Sequence, residues 1–286
     1  MMELQSQNIN WFPGHMAKAE RMIKENLSLC DAAAEIIDAR IPKSSRNPDI
    51  DELVGDKPRL VIMNRADLAD SNITALWKEH FESGGIKVIE TDSKSGSGVS
   101  SFVPALREIL SEKLKRNEEK GINTTLRVMI LGIPNVGKST FINRVAKKKA
   151  AGTGDRPGLT RGKQWINIDR SLDLLDTPGI LWPKFEDEET GLMLAVTNAI
   201  KSEILDTTAV GADFILKLSS LYPEKLKERY KIEAEDAGSG YELLEKAAAK
   251  RGFLVSKGEY DIDRMALTLL KEFQDGKLGR LSLERP

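Results

Sequence analysis

Residues 126–146 read LRVMILGIPNVGKSTFINRVA and contain the strongest local pattern in the chain. The apolar run at 126–131 predicts a buried strand, and apolar residues within 141–145 recur at helical spacing. Between them, residues 132–139 (GIPNVGKS) match the phosphate-loop pattern G-x-x-x-x-G-K-[ST] at every position. Strand, glycine loop and helix therefore stand in the order that a nucleoside triphosphate site requires.

The residue types in this loop suit a phosphate ligand. Glycines let backbone N–H groups curl round phosphate oxygens, and the following helix adds the positive end of its dipole. Lys138 is expected to reach the β- and γ-phosphates, and the Ser139 hydroxyl is expected to bind Mg²⁺. The other predicted nucleotide contacts in this stretch are Asn135, Val136, Gly137 and Thr140.

The amino-acid composition limits the class of protein to which the chain can belong. The 286 residues suffice for two domains, and 40% hydrophobic with 30% charged residues is typical of a soluble globular chain. Lys and Arg number 43 against 44 Asp and Glu, so the net charge of −1 predicts no particular partner. The single cysteine, Cys30, excludes an internal disulfide and fits a reducing compartment; we expect it on an apolar helix face in the core.

Neither a membrane span nor a targeting segment is evident. No apolar run approaches the ~18 residues of a transmembrane helix, and the N-terminus lacks the pattern of a signal peptide. We therefore expect a cytoplasmic protein without a membrane partner.

Strands and helices alternate in the first two thirds of the chain. Strands are predicted at 32–38, 59–63, 86–90, 164–168 and 172–175 besides 126–131, and helices at about 15–29, 70–82 and 99–116. This alternation predicts an α/β fold with a mostly parallel sheet. From about residue 185 the pattern is wholly helical, with helices near 190–203, 207–219, 222–230, 239–250 and 260–274. The predicted organisation is a nucleotide-binding domain over 1–184 and an all-α domain over 185–286.

A second nucleotide element follows the phosphate loop. Asp176 and Gly179 form a D-x-x-G pattern at the end of a predicted strand, where the Asp is expected to bind Mg²⁺ and the Gly N–H to sense the γ-phosphate. Thr160 is the best candidate for the loop threonine that completes Mg²⁺ coordination, and the alternative is a solvated loop hydroxyl.

A guanine-reading segment precedes the phosphate loop. Asn64-Arg65-Ala66-Asp67 resembles the N-K-x-D motif, in which the Asp carboxylate accepts two N–H bonds from guanine. Arg65 stands where that motif usually has Lys, and its stem can still cover the base. Asp92 and Ser93, just after the next strand, resemble the loop that supports the base. These residues predict GTP as the nucleotide, with somewhat altered affinity.

The order of these motifs differs from that in ordinary small GTPases, which begin with the phosphate loop and end with the base reader. The chain therefore resembles a circularly permuted P-loop GTPase, in which a connector at about 98–125 joins the old termini. Five further segments make it closely similar to the ribosome biogenesis GTPase A (YlqF) family over about residues 10–284: WFPGHM, DARIP, GIPNVGKS, DTPGILWP and the C-terminal GKLGR.

The resemblance implies a cytoplasmic bacterial factor that acts late in assembly of the large ribosomal subunit and contacts its rRNA. Ile180 follows the D-x-x-G pattern where Ras-like proteins have a water-orienting Gln, and it cannot exchange a proton. The resemblance points to His15 as the catalytic replacement, against a structural role beside its Pro-Gly turn. Asn135 in the phosphate loop resembles the residue that holds a monovalent cation in potassium-stimulated GTPases, which makes it a candidate ligand for K⁺.

RNA contact has weaker support in the residues themselves. Residues 144–163 hold seven basic side chains and one acid, Asp155, which exceeds what nucleotide binding needs. Lys18 and Arg21, and Lys271, Lys277 and Arg280, are further candidates, although a solvated face is the plainer interpretation of each group. With 6% aromatic residues, we expect binding to structured RNA by backbone and shape, and none to DNA.

Two other functions stay open at this point. One is a GTP-gated RNA-binding scaffold in which hydrolysis is incidental, and Ile180 favours it. The other is an RNA-modifying or tRNA-acting GTPase, for which no accessory catalytic motif is present. GTP cycling on the large ribosomal subunit is the function that the motifs and the resemblance together predict.

Overall fold

The computed structural model describes residues 21–147, 164–179, 181, 187–200, 206–233, 238–255 and 258–286. The chain forms two compact units, Met1–Glu186 with Glu284–Pro286 and Asp187–Leu283. The predicted domain boundary, between 184 and 185, falls outside the described residues.

The first unit contains a six-stranded sheet. Its strands are β1 (Ala32–Asp38), β2 (Arg59–Asn64), β3 (Lys87–Thr91), β4 (Leu126–Leu131), β5 (Gln164–Asp169) and β6 (Leu172–Asp176). Their order in the sheet is β3-β2-β1-β4-β6-β5, and all neighbours are parallel except β5 and β6. The predicted α/β fold with a mostly parallel sheet is confirmed.

Six helices accompany the sheet in the described part of this unit. They are α1 (described over 21–27), α2 (Asp49–Val54), α3 (Ser71–Ser83), α4 (Phe102–Ile109), α5 (Ser111–Glu119) and α6 (Lys138–Ala146). Ile23 of α1 and Ile50 of α2 share one apolar cluster with Met129 of β4. Trp77 of α3 belongs to a second cluster with Met63 of β2.

Three local expectations need correction. The predicted helix at 99–116 is a short 3-10 turn (Val99–Ser101) followed by α4 and α5, which are separate helices because the chain bends at Leu110. Helix α2 was not predicted, since its six residues are too short for a helical period to emerge. Cys30 lies in the turn between α1 and β1, not on the helix, although it is buried as expected.

The sheet brings the polar strand ends to one edge. In a parallel sheet the carboxyl ends of the strands lie side by side, and ligands bind in the crevice beyond them. β1 and β2 pair so that Asp38 stands opposite Asn64, and β2 and β3 pair so that Asn64 stands opposite Thr91. On the other side of β1, β4 runs into the glycine loop. The motifs predicted from distant parts of the sequence therefore meet at this edge.

The elements described in the second unit are helices. It contains α7 (Glu188–Val196), α8 (Thr207–Leu221), α9 (Pro223–Tyr230), α10 (Gly240–Arg251) and α11 (Ile262–Gln274). Glycines permit close helix contact, because a Cβ at Gly240 would overlap the backbone of Ala212 in α8. Within the described part of the chain, no helix has the length and apolar character needed to cross a membrane.

Candidate nucleotide site

The first carbonyl groups of the glycine loop bind the ammonium group of Lys138. Lys138 begins α6, and its Nζ donates to the carbonyls of Gly132 (2.9 Å) and Ile133 (2.8 Å) at the start of the loop. Burial lowers the pKa of Lys138 to about 8, while the charge of Asp176 acts in the opposite direction. A buried ammonium group beside the glycine loop offers an anion a favourable position.

Asn64 links the three predicted nucleotide segments. Its Nδ2 donates to the Val136 carbonyl at 2.8 Å. Its Oδ1 accepts from the Ser93 N–H (3.0 Å), the Ser93 hydroxyl (2.7 Å) and the Thr91 hydroxyl (3.2 Å). Because Asn64 is buried and bonded to all three segments, it acts as a structural junction between them.

Asp67 lies nearer the solvent, with a second carboxylate, Asp92, close to it. Its side chain is exposed, and partial desolvation together with the charge of Asp92 raises its pKa. Burial disfavours the ionised form of Asp92 as well, but hydrogen bonds from Ser95 and Lys94 lower its pKa. Two nearby carboxylates at this rim favour a ligand edge that offers N–H donors, such as that of guanine.

The base-supporting loop is fastened to α6. The Arg144 guanidinium donates to the carbonyls of Ser93 (3.4 Å) and Lys94. It also lies where a side chain at Gly96 would be, within 3.1 Å of an added Cβ. Arg144 was predicted to belong to a basic RNA-facing segment, but the structure engages its guanidinium with this loop.

Arg65 bridges the base reader and the phosphate loop. Its NH2 donates to the Asn135 carbonyl at 2.6 Å, and its NH1 donates to Asp38 Oδ2 at 3.2 Å. The Arg65 and Asn135 backbones are both left-handed, with φ of 59° and 57°. Such conformations are costly for residues with a Cβ and concentrate at functional sites. Arginine thus makes a two-sided contact that the sequence motif alone did not indicate.

The D-x-x-G segment lies against the phosphate loop. Asp176 is buried at the end of β6, and the Thr177 hydroxyl donates to the Ile130 carbonyl of β4 at 2.7 Å. A Cβ on Gly179 would meet the Pro134 nitrogen at 2.7 Å and Lys138 Nζ at 3.0 Å. A side chain larger than that of glycine would therefore not fit at position 179, as expected of a residue that approaches a phosphate group.

The donor types near Lys138 suit Mg²⁺. The cation prefers hard oxygen ligands and keeps several waters or phosphate oxygens in its shell. The Ser139 hydroxyl follows Lys138 directly, and the Asp176 carboxylate is close enough to influence the Lys138 charge. A hydroxyl and a carboxylate beside a phosphate loop fit this ion.

Some predicted residues lie outside the described part of the chain. They include His15, Thr160, Ile180 and Lys18, and of the seven basic residues in 144–163 only Arg144 and Lys147 are described. At the C-terminus, Lys271 and Lys277 both lie near one carboxylate, that of Asp275, at 3.2 and 3.5 Å. The roles proposed for these residues remain predictions.

Sequence reasoning missed the charged pair at the end of β1. Asp38 and Arg40 are buried and joined by side-chain bonds, and Asp38 touches Arg65. Both residues belong to the DARIP segment that carries the family resemblance, but nothing local in the sequence indicated that their charges are buried.

Comparisons with known proteins agree with this geometry. A family model described as "50S ribosome-binding GTPase" matches residues 127–238. Ribosome biogenesis GTPase A of Bacillus licheniformis is 47% identical over 281 residues, which cover 97% of this chain and 98% of that protein. The chain belongs to the ribosome biogenesis GTPase A family.

Two solved structures of this family resemble the fold. The GDP-bound structure of TM YlqF is 28% identical, with a TM-score of 0.68, and the match covers 92% of this chain and 98% of that one. The GNP-bound YlqF from T. maritima is 29% identical with a TM-score of 0.66, at 94% and 98% coverage. Family membership makes the chain a GTP hydrolase, and its site geometry agrees with guanine-nucleotide binding.

Proposed function

We propose that this GTPase binds the large ribosomal subunit, promotes a late step of its assembly, and hydrolyses GTP to GDP on the particle in the cytoplasm. The observation that carries the proposal is the junction at Asn64, which unites base reader, base support and phosphate loop in a chain whose relatives are named for ribosome biogenesis. The ribosomal partner is inferred from those names and from the family description.

Within this proposal each predicted residue has a distinct task. Asp67 accepts the guanine N–H groups, with Asp92 and Ser93 supporting the loop beside the base. Lys138 and the loop backbone over 135–140 bind the phosphates, and Gly179 senses the γ-phosphate. The buried ammonium of Lys138 is strengthened as a phosphate ligand because little water screens it.

Ser139 and Asp176 would hold Mg²⁺, with Thr160 as a third ligand. The ion supplies charge neutralisation at the β- and γ-phosphates when it is bound. Asn135 would hold K⁺, which adds positive charge beside the same phosphates. Ile180 offers no proton exchange, so we propose His15 as the group that orients or activates the attacking water, completed by the ribosomal particle.

The RNA contacts are proposed for the helical unit and for the basic segment around Thr160. Exposed cations that meet the RNA backbone make affinity fall as salt rises. We therefore expect particle binding to weaken steeply between low and moderate ionic strength.

GTP turnover measured with and without purified large subunits, in K⁺ and in Na⁺, tests the proposal. We expect turnover to rise when subunits are present, and to rise more in K⁺. Nucleotide-dependent binding to the particle with a vanishing, subunit-independent rate would instead favour a GTP-gated RNA-binding scaffold, which the isoleucine at position 180 permits.

A further inference from the structure

A charged pair is buried at the carboxyl end of β1, beside the base reader. Asp38 is 2% exposed and Arg40 is 0% exposed. Unpaired charges are rarely buried to this extent, because desolvation of each ion costs several kcal/mol. The pair therefore depends on its internal geometry.

That geometry is bidentate. Arg40 Nε donates to Asp38 Oδ1 at 2.9 Å, and Arg40 NH2 donates to Asp38 Oδ2 at 2.8 Å. The Arg40 backbone N–H also donates to Oδ1 at 3.0 Å, while the Ser45 hydroxyl accepts from the Asp38 N–H at 2.9 Å. These bonds fix the Asp38 carboxylate in one orientation at the edge of the sheet.

The fixed carboxylate points one oxygen at Arg65. Asp38 Oδ2 accepts from Arg65 NH1 at 3.2 Å, while Arg65 NH2 reaches the Asn135 carbonyl at 2.6 Å. The planar guanidinium thus spans from the end of β1 to the phosphate loop. A lysine, which carries one compact ammonium group, is a poorer match for two partners on opposite sides.

The neighbouring positive charges stabilise the ionised form of Asp38. Burial disfavours an ionised Asp38, but the Arg40 charge and hydrogen bonds, with a further contribution from Arg65, lower its pKa. Asp38 with Arg40 alone is neutral, so Arg65 adds one net positive charge at the rim of an anion site. The two residues that this contact joins, Arg65 and Asn135, both have left-handed backbones.

We propose that Asp38 and Arg40 are positioning residues for nucleotide binding, which hold Arg65 in a bridge that fixes the base reader relative to the phosphate loop. The inference rests on the proposed nucleotide roles of residues 64–67 and 132–139. In this view the pair acts through Arg65 and does not touch the nucleotide. Its loss therefore affects GDP retention only while Arg65 is present.

The test is a mutant cycle read by GDP dissociation in Mg²⁺ buffer. Asp38→Leu/Arg40→Leu removes both buried charges together and so leaves neither ion uncompensated. Arg65→Met removes the bridge and keeps an apolar stem over the base. The triple variant closes the cycle, Arg116→Met on exposed α5 is the matched control, and circular dichroism checks the fold of each.

We expect the pair variant and Arg65→Met each to accelerate GDP dissociation by ~10-fold, the effect of losing a charge-assisted bond, with little change in association. The triple variant should be no worse than Arg65→Met, because the pair then has nothing to position. Multiplied losses, or a pair variant that retains GDP like wild type, would overturn the proposal. If the pair were purely structural, its removal would accelerate GDP dissociation in the Arg65→Met background as well.

If the pair variant does not fold, the Arg65→Lys variant tests the bridge instead. It keeps the charge and the stem but offers a single ammonium, so we expect GDP to dissociate several-fold faster. A rate equal to that of wild type contradicts the bridge. Wild-type protein that retains GDP but does not respond to large subunits would contradict only the proposed ribosomal function, whereas failure to bind GDP would overturn both.

Discussion

The Asn64 side chain donates to the main-chain carbonyl of Val136 across 2.8 Å, between residues 72 positions apart. This bond places the base reader against the phosphate loop even though the chain reaches them in permuted order. It is formed because β1 lies between β2 and β4, so the loops that follow all three strands share one edge. The permutation therefore changes the connections while it preserves the geometry of the site.

Asn64→Ala should reduce both stability and GDP affinity. The change leaves the Val136 carbonyl and the Ser93 N–H without their side-chain partner, and each buried loss costs about 1–3 kcal/mol. Thermal unfolding with and without GDP measures the two effects. Asn72→Ala, at an exposed position of α3, is the control, and equal behaviour of the two variants would contradict the junction role.

Gly179→Ala should separate nucleotide binding from nucleotide sensing. An added Cβ would lie 2.7 Å from the Pro134 nitrogen and 3.0 Å from Lys138 Nζ, so the segment must move away from the loop. We expect GDP affinity within a few-fold of wild type, but loss of the difference in large-subunit binding between GTP and GDP. Sedimentation with subunits in each nucleotide measures this. A preserved nucleotide dependence would contradict the proposed role of Gly179 in sensing the γ-phosphate.

His15→Ala should lower subunit-stimulated turnover and leave GTP affinity unchanged. A group that orients or activates water contributes to the chemical step and little to ground-state binding, typically ~10²–10⁴-fold in rate. Single-turnover hydrolysis on large subunits, together with GTP titration, separates the two quantities. An equal loss of rate and affinity would identify His15 as structural.

The sequence predicted the strands and motifs of the nucleotide unit closely, because each combines an apolar run with local chemistry. β1 and β4 match their predicted bounds, since both are buried runs with sharp ends. The bridge from Arg65 to Asn135 could not be predicted, because it depends on the register of three strands. Glu284, near the C-terminus, likewise contacts Ser44 across 240 positions, and no local pattern indicates this contact.

Glu272→Gln should destabilise the helical unit at neutral pH but much less in acid. Glu272 accepts from Arg229 (3.0 Å) and the Tyr230 hydroxyl (2.7 Å). Burial opposes its charge, but these bonds and the Arg251 charge lower its pKa from 4.5 to about 2. The stabilisation is therefore present above pH 4.5 and is lost as pH falls towards 2.

This shift corresponds to at most about 3 kcal/mol at neutral pH. Urea unfolding followed between pH 7 and pH 3 measures it, with the exposed Glu245→Gln as the matched glutamate in the same unit. A difference between Glu272→Gln and wild type that stays constant over this range would show that the ionised carboxylate is not its source.

Truncation after Leu283 should destabilise the nucleotide unit. Glu284 accepts from the backbone N–H groups of Lys43 (2.7 Å) and Ser44 (3.1 Å), and its carbonyl accepts from Trp77 Nε1 (3.2 Å). Without Glu284 these donors lose their partners, at a cost of about 1–3 kcal/mol in total after water replaces the most accessible bonds. The affected loop follows Asp38 and Arg40 directly, so the loss should lower the melting temperature measured by tryptophan fluorescence.

The control is a truncation that removes only Arg285 and Pro286, which are exposed. If both truncated proteins melt at the same temperature, Glu284 does not stabilise the nucleotide unit.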